Sequence, residues 1–276
     1  MKAERPILFN SEMVRAVLDG AKTQTRRVIK GAALPKLLDE PFDGDDGKTY
    51  KWISCPSTHP RWGFGVFGET EEECAKELEK IGCGCPYGDV GDQLWVRETF
   101  HNDNRDTERA RAEHEDVMSV SPIFYKADTL LSNSNIDPLP KDAGWIWKPS
   151  IYMPRWASRI QLEVTGVRVE RVQDISEDDA IAEGVINGID YPYENGELPC
   201  PSCNGQGVHG AFGANYGVTE VDCTTCDTYI KRFRILWDSI NAKRGYGWDK
   251  NPYVWVVEFK MLDANITPHD AKGGER

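Results

Sequence analysis

Gly20-Ala21-Lys22-Thr23-Gln24-Thr25-Arg26-Arg27 marks a handover from helix to strand. Upstream, Met13, Val14, Val17 and Leu18 fall on one face at helical spacing. Asn10 or Ser11 can cap the start of that helix, and Gly20 suits the left-handed residue that closes it. Downstream, Val28 and Ile29 begin a strand-like run. A lysine and a hydroxyl therefore meet at the junction, and Lys22 with Thr25 can form an activated nucleophile. The same residues also read as a basic helix end that favours the dipole, with threonine as an ordinary turn residue.

Outward from this junction, Pro6-Ile7-Leu8-Phe9 reads as a short buried strand. The stretch 31–86 is poorly patterned and crowded with Gly, Asp, Pro and Lys, so it reads as a long loop insertion, with an acidic helix expected over 69–81. After the Gly88–Asp92 turn, Gln93 to Phe100 alternates apolar and polar residues as a half-buried strand does. A second loop insertion is expected over 102–145, around a strand-like Ile123–Ala127. Trp145 to Arg159 is dense in aromatic and basic side chains, and its prolines oppose a continuous helix. Tyr152, Arg155 and Trp156 can stack and hydrogen-bond a base, or serve as core aromatics with arginines at the rim.

Ile160 to Val172 reads as a long strand or a bent pair, and Ser176-Glu177-Asp178-Asp179 resembles a capping box. The helix it opens ends at Gly184, directly after Glu183. A last helix spans roughly 227–241, a final strand 253–259, and 264–276 is a polar tail expected to fray. Many strands with few, short helices predict one α+β domain over 1–276, a barrel-like β structure with flanking helices.

The net charge of −12 over 276 residues opposes non-specific binding of long nucleic acid. Arg155, Arg159, Arg168 and Arg171 form a basic stretch that keeps a local RNA contact open. No apolar run reaches the length of a membrane span, and Met1–Pro6 is charged and then interrupted, so a cytoplasmic protein without a membrane partner is expected. Among the eight cysteines, Cys200-x-x-Cys203 and Cys223-x-x-Cys226 have the spacing of two metal-binding turns, within an insert over about 186–226. Four thiolates leave no open position, so the expected Zn²⁺ is structural. Cys55, Cys74, Cys83 and Cys85 read either as a second site or as ordinary cysteines; Cys83-Gly84-Cys85 is too tight for a usual knuckle.

Taken together, Gly20-x-Lys22-x-x-Thr25-x-Arg27, Gly91-Asp92 leading a strand, and Val256-Val257-Glu258-Phe259-Lys260 resemble the ASCH domain, a PUA-like β-barrel. The phage and prophage branch of that family is similar over most of the chain, from Pro6 to Met261, through Gly91–Glu98, Met153–Arg159 and Asp174–Gly184. Some family members are amidohydrolases that remove the acyl group from N4-acetylcytidine with a lysine, a threonine and a glutamate. The resemblance places these roles on Lys22, Thr25 and Glu183. It implies a modified cytidine nucleoside as substrate and no cofactor in catalysis; by residue type, Arg27, Tyr152, Arg155 and Trp156 are the candidates to contact that substrate. Other members are RNA binders or ribonucleases, so a modified-base reader and a nuclease are the competing expectations.

Overall fold

The computed structural model describes residues 2–55, 65–81, 85–101, 123–129, 146–185, 200, 202–203, 208–212 and 218–262. The chain starts with β1 (Glu4–Leu8). In α1 (Ser11–Leu18), the Asn10 side chain accepts the Met13 amide at 2.9 Å, which satisfies one orphan donor of the first turn. Gly20, at φ +73°, closes the turn and releases the chain into β2 (Gln24–Val28).

The stretch 31–86 departs from the loop expectation. It holds β3 (Lys36–Asp43), β4 (Thr49–Ser54) and β5 (Val66–Gly68) as an antiparallel sheet, followed by α2 (Glu71–Ile81). β3 is exposed on both faces, apart from one half-buried leucine, so its sequence lacks the alternation that betrays a strand. α2 buries Cys74, Ala75 and Leu78. Its first turn lies against Gly68, where a Cβ would stand 2.4 Å from the Cys74 amide nitrogen.

Next come β6 (Gln93–Arg97), a two-residue pairing of β7 (Phe100–His101) with β8 (Phe124–Tyr125), and the single turn α3 (Lys126–Thr129). The prolines in 146–159 confine helix there to two 3₁₀ turns, Ser150–Tyr152 and Arg155–Ala157. β9 (Gln161–Arg171) is one long strand. The capping box forms as read, with the Ser176 side chain accepting the Asp179 amide, and opens α4 (Glu177–Ala182). The hairpin β10 (Val208–Phe212) and β11 (Val218–Asp222) leads to α5 (Tyr229–Asn241) and β12 (Tyr253–Leu262).

The main sheet has the order β1-β6-β9-β12-β2, parallel only between β1 and β6. The molecule is thus mixed α+β, but the sheet does not close into the expected barrel: β1 and β2 are its two edges. A side chain rather than a ladder joins them, as Arg27 Nη2 donates to the Leu8 carbonyl at 2.8 Å. β12 is buried on both faces, which explains its continuous apolar sequence. Trp255, Val257 and Phe259 enter an inner core with Ile7, Phe9, Val14 and Leu162. Val254 and Val256 enter an outer core with Ala180, Phe233 and Trp237, beneath α4 and α5.

The second insertion, 102–145, lies outside the described residues except for 123–129, and the 264–276 tail lies wholly outside them.

Candidate functional site

The site is built on the edge strand β2. Thr25 pairs with Val257 and Arg27 with Trp255, so both point to the inner core; Arg26 pairs with Val256 and points to the outer one. Just before the strand, Lys22 forms an isolated bridge with Glu183, while the Thr23 amide donates to Ala182 O at 2.8 Å and the Phe259 amide to Thr23 O at 2.8 Å. The C-terminus of α4 is thereby stitched to the β2 edge. Gly184, at φ +81°, lets the chain pass: a Cβ there would lie 2.9 Å from Ala16 Cβ and 3.0 Å from Lys22 Cβ.

The turn places Glu183 against Lys22. Lys22 Nζ donates to the Glu183 carboxylate at 2.8 Å and to its backbone carbonyl at 2.7 Å. The two side chains are 0% and 4% exposed, so this is a fully desolvated ion pair. The other carboxylate oxygen accepts from Arg26 Nη1 at 3.3 Å, so Glu183 links a cation of the inner face to one of the outer face. Burial pushes the Lys22 pKa below the ordinary lysine value; the charge and hydrogen bond of Glu183 oppose this, and Arg27 and Arg26 add to it. Lys22 Nζ and Arg27 Cζ flank the Phe9 ring, at 5.8 and 5.5 Å from its centroid.

On the outer face, Arg26 also reaches Glu170 and Asp179, and Arg168 reaches Asp179, Glu170 and Glu258. Gln24 Nε2 donates to both the carbonyl and the carboxylate of Asp179, at 2.8 and 3.0 Å. Against the upward push of burial, Gln24, Arg26 and Arg168 hold Asp179 down to about 2. Spacing along the chain gave no signal for this network, because its members come from β2, β9, α4 and β12.

Lys22, Thr25, Arg27 and Glu183 gather at the β2 edge, but not all in the expected relation. Lys22 donates to Glu183, and among the described residues the Thr25 hydroxyl, 1% exposed as a residue, has no hydrogen-bond partner. In the turn before them, the Gly20 amide donates to Val17 O at 3.0 Å and the Lys22 amide to Ala16 O at 2.8 Å, so both amides close α1. Arg155 does not join the site. It pairs with Glu4 at 2.9 Å, four residues along β1 from Leu8, about 13 Å of strand. Tyr152 and Trp156 flank it in the two 3₁₀ turns and are largely exposed. The basic stretch is neutralised: Arg159 pairs with Glu98 and Asp128, Arg168 as above, and Arg171 with Glu71. Glu98 is 1% exposed; burial raises its pKa, Arg159 opposes that rise, and Asp128 adds to it.

The chain matches no protein-family model, and no curated protein or solved structure matches it.

A separate centre lies under α5. The sulfurs of Cys200, Cys203, Cys223 and Cys226 are all buried and within 4.8 Å of one another, an arrangement able to hold a metal ion. Cys200 Sγ and Cys223 Sγ are 3.8 Å apart, Cys203 Sγ and Cys226 Sγ 3.4 Å. Ile235 of α5 packs on the cluster, and Arg232 Nε donates to Cys226 O at 2.7 Å. The Tyr229 amide, at the start of α5, donates to Glu177 of α4 at 2.8 Å, so the cysteine centre and the Glu183 helix share a support. Of the other cysteines, Cys74 and Cys85 are buried, Cys55 is half-buried and Cys83 lies outside the described residues; burial raises the Cys74 and Cys85 thiols to about 11. Among the described residues, no helix is long and apolar enough to cross a membrane.

Proposed function

We propose that the protein is an ASCH-type, PUA-like amidohydrolase that removes the acyl group from an N4-acylated cytidine. The observation that carries the reading is the buried Lys22–Glu183 pair at the head of β2, the strand that carries Thr25. A desolvated ion pair has a neutral tautomer that water would never favour. With the proton on Glu183, Lys22 is a free amine and Glu183 an acid.

In the proposed cycle, Thr25 Oγ attacks the acyl carbon as its proton passes to Lys22. Glu183 then protonates the departing N4 amine, leaving an acyl-threonine ester. Water attacks that ester, giving its proton to the Glu183 carboxylate, and the Lys22 ammonium returns a proton to Thr25 Oγ. The acid leaves, and the pair regains its starting protonation. Arg26, at 3.3 Å from Glu183, favours the ionic form at rest, so substrate binding has to shift that balance. The supporting stoichiometry is that one pair supplies both the base and the acid.

A second reading, a non-catalytic modified-base reader, is favoured by one observation: the Lys22 hydrogen bonds go to Glu183 and none goes to Thr25. An ultraviolet assay of purified protein with N4-acetylcytidine, beside Thr25→Ala, separates the two. Loss of the acylcytidine absorbance with wild type only supports the hydrolase. No turnover of several N4-acyl cytidines and deoxycytidines refutes it.

For the cysteine centre the proposed ion is a structural Zn²⁺. Tetrahedral Zn–S bonds of about 2.3 Å require S···S edges near 3.8 Å. The separations of 3.4 and 3.8 Å fit that ion with small adjustment. With all four positions filled by thiolate, it would hold the hairpin and the start of α5 rather than act on substrate.

A further inference from the structure

Three carboxylates share one buried guanidinium on the outer face of β2. The Arg26 side chain is fully buried, and its Nη2 meets Glu170 and, at 3.1 Å, Asp179. Its Nη1 meets Glu183 at 3.3 Å, a longer bond than the one Lys22 makes to the same carboxylate at 2.8 Å. Arg26 Nε is buried and has no hydrogen-bond partner among the described residues, so the guanidinium keeps a donor uncommitted. Arg26 Cζ lies over the Phe233 ring of α5, 5.8 Å from its centroid. The outer carboxylates are themselves held in place. Asp179 accepts from Gln24 Nε2 at 3.0 Å and from Arg168 Nη2 at 2.9 Å, and Glu170 accepts from Arg168 Nε at 3.2 Å. Arg168 in turn reaches Glu258, whose carboxylate lies over Gly166: a Cβ on that glycine would stand 2.6 Å from Glu258 Oε2. Charged groups thus enter this network from β2, β9, α4 and β12. Across β2, Arg27 faces the inner core and adds its like charge to the surroundings of Lys22.

A guanidinium that serves three carboxylates is divided between them. Arg26 sits nearer the two outer ones, so Glu183 receives the smallest share and leans on Lys22. The consequence concerns protons. A guanidinium drawn fully onto Glu183 would lock that carboxylate in its ionised form and repel the Lys22 ammonium. The two outer carboxylates draw it the other way, which leaves Glu183 able to take the proton that Lys22 gives up. We propose that Asp179 and Glu170 are positioning residues, which hold Arg26 off Glu183 and thereby set the protonation balance of the Lys22–Glu183 pair. This rests on the reading of that pair as the proton-handling centre of the β2 edge, and adds the residues that tune it. Asp179 acts from within α4, one turn before Glu183, whose amide donates to the Asp179 carbonyl at 2.9 Å. One residue thus sets both the place of Glu183 and the charge around it.

Nuclear magnetic resonance tests this without relying on turnover. The readout is the Cε shift of Lys22 in protein carrying isotope-labelled lysine, titrated upward from neutral pH and assigned by its loss in Lys22→Met. In Asp179→Asn and in Glu170→Gln, Arg26 is released toward Glu183, and the Lys22 midpoint should fall by about 0.5 pH or more. In Arg26→Gln a neighbouring cation is lost, and the midpoint should rise by a similar amount. The opposite signs carry the test. A merely structural role would admit water in all three variants and move every midpoint up toward the ordinary lysine value. In the Arg26→Gln background, Asp179→Asn should keep less than about half of its effect. A midpoint that rises or stays put in either folded outer variant overturns the inference, as does a downward shift that persists in full without Arg26. Glu170 lies outside α4 and its capping box, so Glu170→Gln decides the matter if Asp179→Asn fails to fold. Opposite shifts without turnover of N4-acetylcytidine would sink the hydrolase and leave the tuning in place. Turnover with every midpoint moved upward would do the reverse.

Discussion

Glu183→Gln is expected to be among the most damaging isosteric changes in the molecule, and its cost should depend on pH. The substitution keeps side-chain volume and leaves Lys22 its hydrogen bond to the Glu183 backbone carbonyl at 2.7 Å. It removes the charge that neutralises a fully buried ammonium, and breaking a buried pair in this way costs about 3–5 kcal/mol. Lys22 can escape by giving up its proton. From an ordinary value of 10.5, that escape caps the cost near 5 kcal/mol at pH 7 and near 2 kcal/mol at pH 9. Lys22→Met should be milder, about 1–2 kcal/mol, because Glu183 keeps Arg26 at 3.3 Å. The double variant should fall short of the summed single costs by about 2 kcal/mol or more. Urea unfolding followed by tryptophan fluorescence at pH 7 and pH 9 measures all four proteins. A Glu183→Gln cost below about 1 kcal/mol and flat with pH, with additive single variants, would refute the buried-pair argument.

Four further outcomes follow from the same structure. Because the native pKa of Lys22 is lowered, the unfolded chain binds more protons between that value and 10.5, so this group's contribution to stability rises with pH through that window; Lys22→Met should flatten the urea midpoint against pH there, and an unchanged slope would count against it. Chelator should strip a metal from the four-cysteine centre and lower the melting temperature, as should Cys200→Ser; protein that is metal-free as purified and insensitive to chelator refutes the centre. Gly184→Ala, at φ +81° and facing Ala16 and Lys22 at about 3 Å, should cost about 1–3 kcal/mol in the same unfolding assay, whereas Gly245→Ala, with the same backbone sign but open space, should cost less. Glu98→Gln should cost about 2–4 kcal/mol, since it removes the buried partner held by Arg159 at 2.9 and 3.0 Å, and a melting temperature equal to wild type would show that Asp128 alone suffices.

Local signals carried much of the fold. Asn10 and Gly20 bracket α1, Ser176 and Asp179 open α4, and the apolar run from Tyr253 marks β12, because caps, turns and hydrophobic runs act over a few residues. The β3-β4-β5 sheet was illegible for the opposite reason, since β3 is exposed on both faces and its identity lies in hydrogen bonds to β4. Sheet closure was equally out of reach: a strand pattern states which residues alternate, not whether the first and last strands meet. At the candidate site, the sequence placed Lys22 near Thr25 but said nothing of the distance from either to Glu183, 161 residues from Lys22. The arginines show the limit most plainly. Arg155, Arg159, Arg168 and Arg171 look like a basic patch in the chain, yet each is cancelled by a carboxylate from elsewhere in the fold.

By itself, then, the sequence determined the helix and strand boundaries that local chemistry enforces, the pairing of two Cys-x-x-Cys turns, and a charge balance hostile to long polyanions. Only the tertiary structure decided which charges survive, which face of β2 carries Thr25, and that a carboxylate at the end of α4 is buried against Lys22. The reason is physical: desolvation and ion pairing depend on distances between segments remote in the chain, and those distances exist only once β12 has brought β2 and β9 together.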